Sequence, residues 1–212
     1  MNKRNYQKEL DLITSDIERS GVKKKLFLHA CCAPCSSYCL LYLAKYFDIV
    51  CFYYNPNISP ESEYEKRVNE IERFISTVND EFSLGIKFIE GEYRPQDFYG
   101  KVKGMEDMKE GSERCFICYR MRMEEAAKYA KEAGCDYFTT TLSISPLKNA
   151  EKINCIGEEL ADIYGVDHLP SDFKKKNGYK TSVELSAKYD LYRQNYCGCI
   201  YSKRGSNNEE NT

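Results

Sequence analysis

The sequence predicts an α/β fold: a mainly parallel sheet with helices on both faces. Three observations carry this. Apolar, β-rich runs alternate with segments of helical period, which calls for parallel strands joined by right-handed crossovers. No internal repeat or linker divides the chain. Its 212 residues, 42% hydrophobic and 30% charged, suffice for one sizeable core. The expectation is a single domain over residues 1–202 and a polar, disordered tail over 203–212.

The elements follow in order. Leu10 to Ile17 has a short helical pattern closed by Gly21. Lys25 to Ala30 is a buried strand, and Tyr38 to Phe47 an amphipathic helix whose first turn accommodates Pro34. Asp48 to Tyr54, rich in β-branched and aromatic residues, is the second strand. After the turn Asn55-Pro56-Asn57, Ser59 is placed as N-cap and Pro60 as the first helical residue. Tyr64, Val68, Ile71, Ile75 and Val78 then recur at three and four residues, a helix reaching about Glu81. Gly85 to Ile89 is the third strand, and Tyr93 to Gly104 reads as a loop. A helix runs through Cys115 to its stop at Gly134, and Asp136 to Leu142 is the fourth strand. Ser145-Pro146 is placed as the cap of a helix with Ile153, Ile156, Leu160 and Ile163 inward. Asp172 to Tyr179 reads as a basic loop, and Thr181 with Glu184 as a capping box for a last helix through Arg193.

Composition excludes several classes. There is no apolar run long enough to span a membrane, and the charged N-terminus is no secretory signal. Eleven cysteines in an unexported chain point to a reducing cytoplasm, where such residues bind metal or do redox chemistry. A net charge of −2 gives no global field for nucleic acid. An RNA partner needs a local patch, which Lys23-Lys24-Lys25, Lys174-Lys175-Lys176 or Arg114, Arg120 and Arg122 can supply, although each equally suits a solvated surface.

The chemistry is concentrated in cysteine. Cys31, Cys32, Cys35 and Cys39 stand where the first strand gives way to a helix, a place where ligands collect in open α/β sheets and the helix dipole favours thiolate. Cys31 and Cys32 reach one centre only where the backbone bends, since neighbours in a strand point to opposite faces. Otherwise one serves a cluster and the other a second metal or the substrate. Cys115 and Cys118 form a C-x-x-C, suited to zinc, iron–sulfur or thioredoxin-like chemistry. Cys197-Gly198-Cys199 is too tight for a typical zinc knuckle and fits a redox pair or ligands to two metals. If the C-terminal segment returns over the same sheet edge, all three groups meet. Cys51, Cys135 and Cys155 lie in strand or helix patterns as small core residues.

These residues resemble a known family. Cys31-Cys32-Ala33-Pro34-Cys35, Tyr54 to Ile58, Arg114 to Arg122, Thr140 to Pro146 and Tyr192 to Cys199 are similar, in order, to the QueH-type epoxyqueuosine reductases, over about Lys25 to Ser202. The resemblance implies a fold like the adenine-nucleotide alpha-hydrolase group (Rossmann-like). It implies reduction of the epoxide on a tRNA wobble base to the cyclopentene, the last step of queuosine biosynthesis, without cobalamin. It further implies a [4Fe–4S] cluster beside a mononuclear iron, with Cys31, Cys32, Cys35, Cys115, Cys118, Cys197 and Cys199 as ligands. Cys35 stands where some relatives carry Asp, so this chain offers the second metal a thiolate in place of a carboxylate.

Epoxide removal consumes two electrons and two protons. The electrons come from an unidentified donor, and an acid must protonate the oxygen. His29, Tyr54, Tyr119 and Asp172 are the acids near these motifs; Cys35, Tyr119 and Asp172 are assigned to catalysis, and His29 reads as a hydrogen-bonded core residue. Tyr119 to Arg122 and Tyr192-Arg193 are placed to stack a base of the anticodon loop and hold phosphate. Two rivals remain. ATP-dependent tRNA modification needs a glycine-rich loop after the first strand, where Cys31 to Cys35 contains none. A zinc-stabilised, non-enzymatic RNA-binding module would be colourless and hold stoichiometric zinc.

Overall fold

The computed structural model describes residues 4–203; of the expected tail over 203–212, Lys203 is helical and the rest lies outside the described residues. Five strands, β1 (Lys24–His29), β2 (Phe47–Tyr53), β3 (Lys87–Glu90), β4 (Tyr137–Thr140) and β5 (Asp167–His168), form an all-parallel sheet in the order β3-β2-β1-β4-β5. The helices that connect and flank them are α1 (Tyr6–Ser20), α2 (Ala33–Leu43), α3 (Glu61–Phe82), α4 (Pro95–Lys101), α5 (Glu113–Glu132), α6 (Ala150–Tyr164) and α7 (Gly178–Lys188), and residues 200–203 are also helical. This is the predicted Rossmann-like α/β class.

Strand alternation divides the core into two. Leu26 and Leu28 of β1 face a cluster with Ile49, Cys51 and Tyr53 of β2, Leu40 and Leu43 of α2 and Ile71, Phe74 and Val78 of α3. Phe27 points the other way, to Phe52, Phe138, Phe98 of α4, Met123 and Ala127 of α5 and Ile153 and Leu160 of α6. The chain moves outward from β1 through β2 to β3, then returns to place β4 on the opposite side of β1. The junction of β1 and β4 is therefore the switch point of the sheet, where a crevice opens beyond the strand ends.

Several boundaries differ from the sequence reading. Phe47 opens β2 instead of ending α2, because it is fully buried against the sheet. Pro60, not Ser59, is the N-cap of α3. Tyr93 to Gly104 is not all loop: Pro95 at the first helical position starts α4, which buries Phe98. β4 ends at Thr140, and the 3-10 turn Thr141–Ile144 follows as the Thr140 hydroxyl accepts from Leu142 N. Asn149, not Ser145, caps α6 through its side chain, and Ile163 is exposed. α7 starts at Gly178, so Thr181 and Glu184 lie within it, and it stops at Lys188.

Candidate metal centre

β1 ends at His29, and the chain bends through Cys31 into α2, with Cys32 as its N-cap in extended conformation. The bend is what lets neighbouring cysteines face one point. Cys31 Sγ and Cys32 Sγ lie 3.9 Å apart. Cys35, on the first turn of α2, completes a trio whose sulfurs are all within 4.8 Å of one another. Two thiolates on one tetrahedral metal stand about 3.8 Å apart, given bonds of ~2.3 Å. The trio can hold a metal ion. Cys39 does not join it: one turn further along α2 it is buried in the core, its thiol directed to Cys35 O.

One thiolate is favoured in the trio. Hydrogen bonds from Cys32 and Cys35, joined by the Thr141 hydroxyl at 3.4 Å and the charge of Arg122, hold the Cys31 thiol well below the usual range. The bond to Cys31, with burial, pushes Cys32 up to about 12, and the bonds to Cys31 and Cys32, with burial, push Cys35 well above the usual thiol range.

A second set surrounds an adjoining void. Cys115 and Cys118 on α5 and Cys197 and Cys199 of the C-terminal segment line it together with Asn57, Tyr119 and Arg122. The C-terminal segment is docked by the Ser59 N–H on Gly198 O at 2.9 Å and by Arg67 on Cys197 O at 3.3 Å. Among the described residues these four thiols form no group as tight as the first trio. A polynuclear cluster bonds each thiolate to a different iron and so separates them more widely than one ion does. Four buried polar atoms of the void's lining residues, Asn57 Nδ2, Asn57 Oδ1, Arg114 Nε and Arg122 Nη2, have no hydrogen-bond partner. Native proteins rarely leave such groups unpaired; the void itself measures only about 10 Å³, room for one water, so a cluster held by these thiols requires them to move apart. Burial raises Cys115, and raises Cys118 to about 12.

The trio and, from the second set, Cys197 line a cleft of about 1110 Å³ over the β1–β4 junction, together with Arg67, Arg122 and Lys148. Cys197 and Arg122 belong to both spaces. A family model described as Epoxyqueuosine reductase QueH matches residues 26–205. The chain belongs to the QueH family. It is 46% identical to the epoxyqueuosine reductase QueH of Staphylococcus epidermidis over 93% of this chain and 84% of that one. The QueH proteins of Streptococcus pyogenes (40%; 94% and 78%) and Thermotoga maritima (38%; 84% and 89%) are similar over comparable spans.

The remaining predicted residues fall in different places within this QueH-family chain. Tyr119 is buried on the four-thiol void, and burial raises its hydroxyl so that it keeps its proton. Asp172 does not line the cleft; it follows β5 and is ion-paired with Lys174. His29 is a buried tie between strands, its ring bonded to Thr140 Oγ1 at 2.8 Å and Tyr54 O at 3.0 Å. The expected base-stacking set is largely internal: Tyr119, Met121 and Arg122 are buried, Arg120 pairs with Glu159, and Tyr192 bonds Glu63. Of that set, Arg122 and the exposed Arg193 line the cleft. Cys51 is in the core as expected, whereas Cys135 and Cys155 are only half-buried.

Sequence reasoning missed Lys148. Its ammonium donates to Cys197 Sγ at 3.0 Å and lies 5.6 Å from the Tyr119 ring centroid. Burial opposes its charge, but Cys197 and Tyr119 outweigh this and keep it protonated. The available signal was position: Lys148 follows Ser145-Pro146, beyond β4 at the switch point.

Proposed function

We propose that this chain is an epoxyqueuosine reductase whose two cysteine sets carry an iron–sulfur cluster and a second metal side by side under one substrate cleft. The observation that carries the reading is the convergence of Cys31, Cys32 and Cys35 with Cys115, Cys118, Cys197 and Cys199 around the shared Arg122. Four thiols with unpartnered polar atoms beside them suit a [4Fe–4S] cluster, and the tight trio suits a mononuclear iron. Such a pair supplies single electrons and a Lewis acid for an epoxide oxygen. In the net reaction two electrons and two protons convert the epoxide to the alkene, and the oxygen leaves as water.

The residues of the chain do the rest. The modified base of a tRNA anticodon loop enters the cleft, flipped from its neighbours as base-modifying enzymes require. Arg67 and Lys148 line the wall with positive charge and favour the negative charge that develops on a departing oxygen. At the rim, Leu147, Tyr179 and Met108 expose apolar surface beside Lys109 and Arg193, which suits splayed bases and phosphate. Asp172 receives no role in this scheme, since it is paired with Lys174 and does not line the cleft.

Among the described residues no helix is long and apolar enough to cross a membrane. The fully free thiols fit a reducing cytoplasm that also holds the tRNA and an electron donor.

Anaerobic purification with iron, zinc and sulfide analysis, followed by turnover of epoxyqueuosine-containing tRNA, tests the proposal. We expect a broad absorption near roughly 400 nm, matched iron and sulfide, and formation of queuosine. Cys118→Ser should remove cluster iron, and Cys35→Ser should remove the additional iron only. Zinc alone with tRNA binding and no turnover would establish the RNA-binding module instead.

A further inference from the structure

Arg122 is 1% exposed on α5 and sits between the two cysteine sets, lining both the cleft and the four-thiol void. Its guanidinium is fixed by two hydrogen bonds, Nε to Cys118 O and Nη1 to Asn55 Oδ1, each 3.2 Å. Nη2 has no partner, and among the described residues no carboxylate forms an ion pair with it. Isolated burial of a charge costs several kcal/mol, so a guanidinium kept here needs a nearby anion. The groups that favour its charge are Cys118, Cys197, Cys31 and Tyr119, all of them lining residues. No other purpose is visible for Nη2 within the fold.

Resting on the cluster reading above, we propose that Arg122 is the resident counter-ion of the thiolate-bound centre and sets its reduction potential through charge and through the free Nη2 donor. Lys148 assists from the cleft side, on Cys197. Reduction adds negative charge to the centre, and a fixed cation stabilises the reduced state more than the oxidised one. The Arg122 side chain is thus a positioning residue: it acts through the centre and forms no bond to substrate. The rigidity of the guanidinium fork matters too, since Asn55 and Cys118 O aim it.

The test is a redox titration of anaerobically loaded holoenzyme, followed by visible absorbance, for wild type, Arg122→Gln, Arg122→Lys and Lys148→Gln. Arg122→Gln should bind iron and sulfide yet reduce with an equilibrium constant about tenfold less favourable, a fall of ~59 mV for one electron. Arg122→Lys should recover part of the difference, and Lys148→Gln should shift it in the same direction by less. If Arg122→Gln fails to fold, Arg122→Lys and Lys148→Gln decide by the same criterion. Unchanged potentials in loaded, folded variants would overturn the role of Arg122 and leave the reductase reading intact. A wild type that takes up no cluster would overturn both.

Discussion

Asn55 hydrogen-bonds Arg122 while reaching the cysteine turn with its other end. Its Oδ1 accepts from Arg122 Nη1 at 3.2 Å, and its Nδ2 donates to Ala30 O at 2.9 Å, immediately before Cys31. With Arg122 Nε on Cys118 O, the path Ala30–Asn55–Arg122–Cys118 joins the start of one thiol set to the helix that carries the other. Asn55 is buried, at the carboxyl end of β2. The spacing of the two sets is therefore held by side chains, not only by the sheet.

Asn55→Ala should be costly for that reason. It leaves Ala30 O and Arg122 Nη1 buried without partners, each loss worth about 1–3 kcal/mol. A destabilisation of roughly 2–4 kcal/mol in urea unfolding is expected. It should come with faster loss of metal from the Cys31, Cys32 and Cys35 trio under chelator challenge. A change under ~0.5 kcal/mol would show the relay to be dispensable.

What the sequence revealed and what it concealed have separate physical causes. The alternation of apolar runs with helical periods was legible because burial repeats at 2 or 3.6 residues, as in Tyr64, Val68, Ile71, Ile75 and Val78, all buried in α3. β5 was not legible: it has only two residues, Asp167 and His168, too few to show a period. The cysteines marked the site, but the neighbours that order it did not stand out. Asn55, Arg122 and Lys148 are polar residues whose burial depends on tertiary packing. The residues expected to stack a base are internal for the same reason. Tyr119 and Arg122 carry the composition of a binding face, yet α5 turns them inward onto the void.

Acid should weaken the fold through both histidines of the chain. Burial lowers His29 and His168 to about 3 in the folded state. The unfolded chain binds these protons near pH 6.5, whereas the native state does not, so stability is lost as pH falls from 6.5 toward 3. The loss is about 2 kcal/mol per histidine at pH 5. His168→Leu at equal metal loading should remove part of this pH dependence. Proton NMR should show neither imidazole of the native protein titrating between pH 8 and 5.

The rim should govern RNA affinity without governing chemistry. Tyr179, at the start of α7, is 41% exposed on the cleft edge. Base–aromatic stacking is worth ~1–3 kcal/mol, so Tyr179→Ala should weaken tRNA binding about tenfold while kcat at saturation holds. A fall in kcat with unchanged affinity would place Tyr179 in the reaction instead of the docking surface.

Gly198 separates the two C-terminal cysteines at φ +117, a conformation that residues with a Cβ rarely adopt. A Cβ there would also stand 2.9 Å from Ile58 Cγ1 and 3.0 Å from Arg67 Nη1. Arg67, on Cys197 O, and the Ser59 N–H next to Ile58, on Gly198 O, hold the segment, so the strain falls on the docking of Cys197 and Cys199. Gly198→Ala should cost about 1–3 kcal/mol locally, release the segment and abolish cluster loading. The Cys31, Cys32 and Cys35 trio is built on β1 and α2 and should keep its metal. Iron and sulfide analysis beside thermal unfolding checks this: sulfide lost with one metal retained is the expected pattern. Full sulfide in Gly198→Ala would show that Cys197 and Cys199 are not needed to hold the cluster.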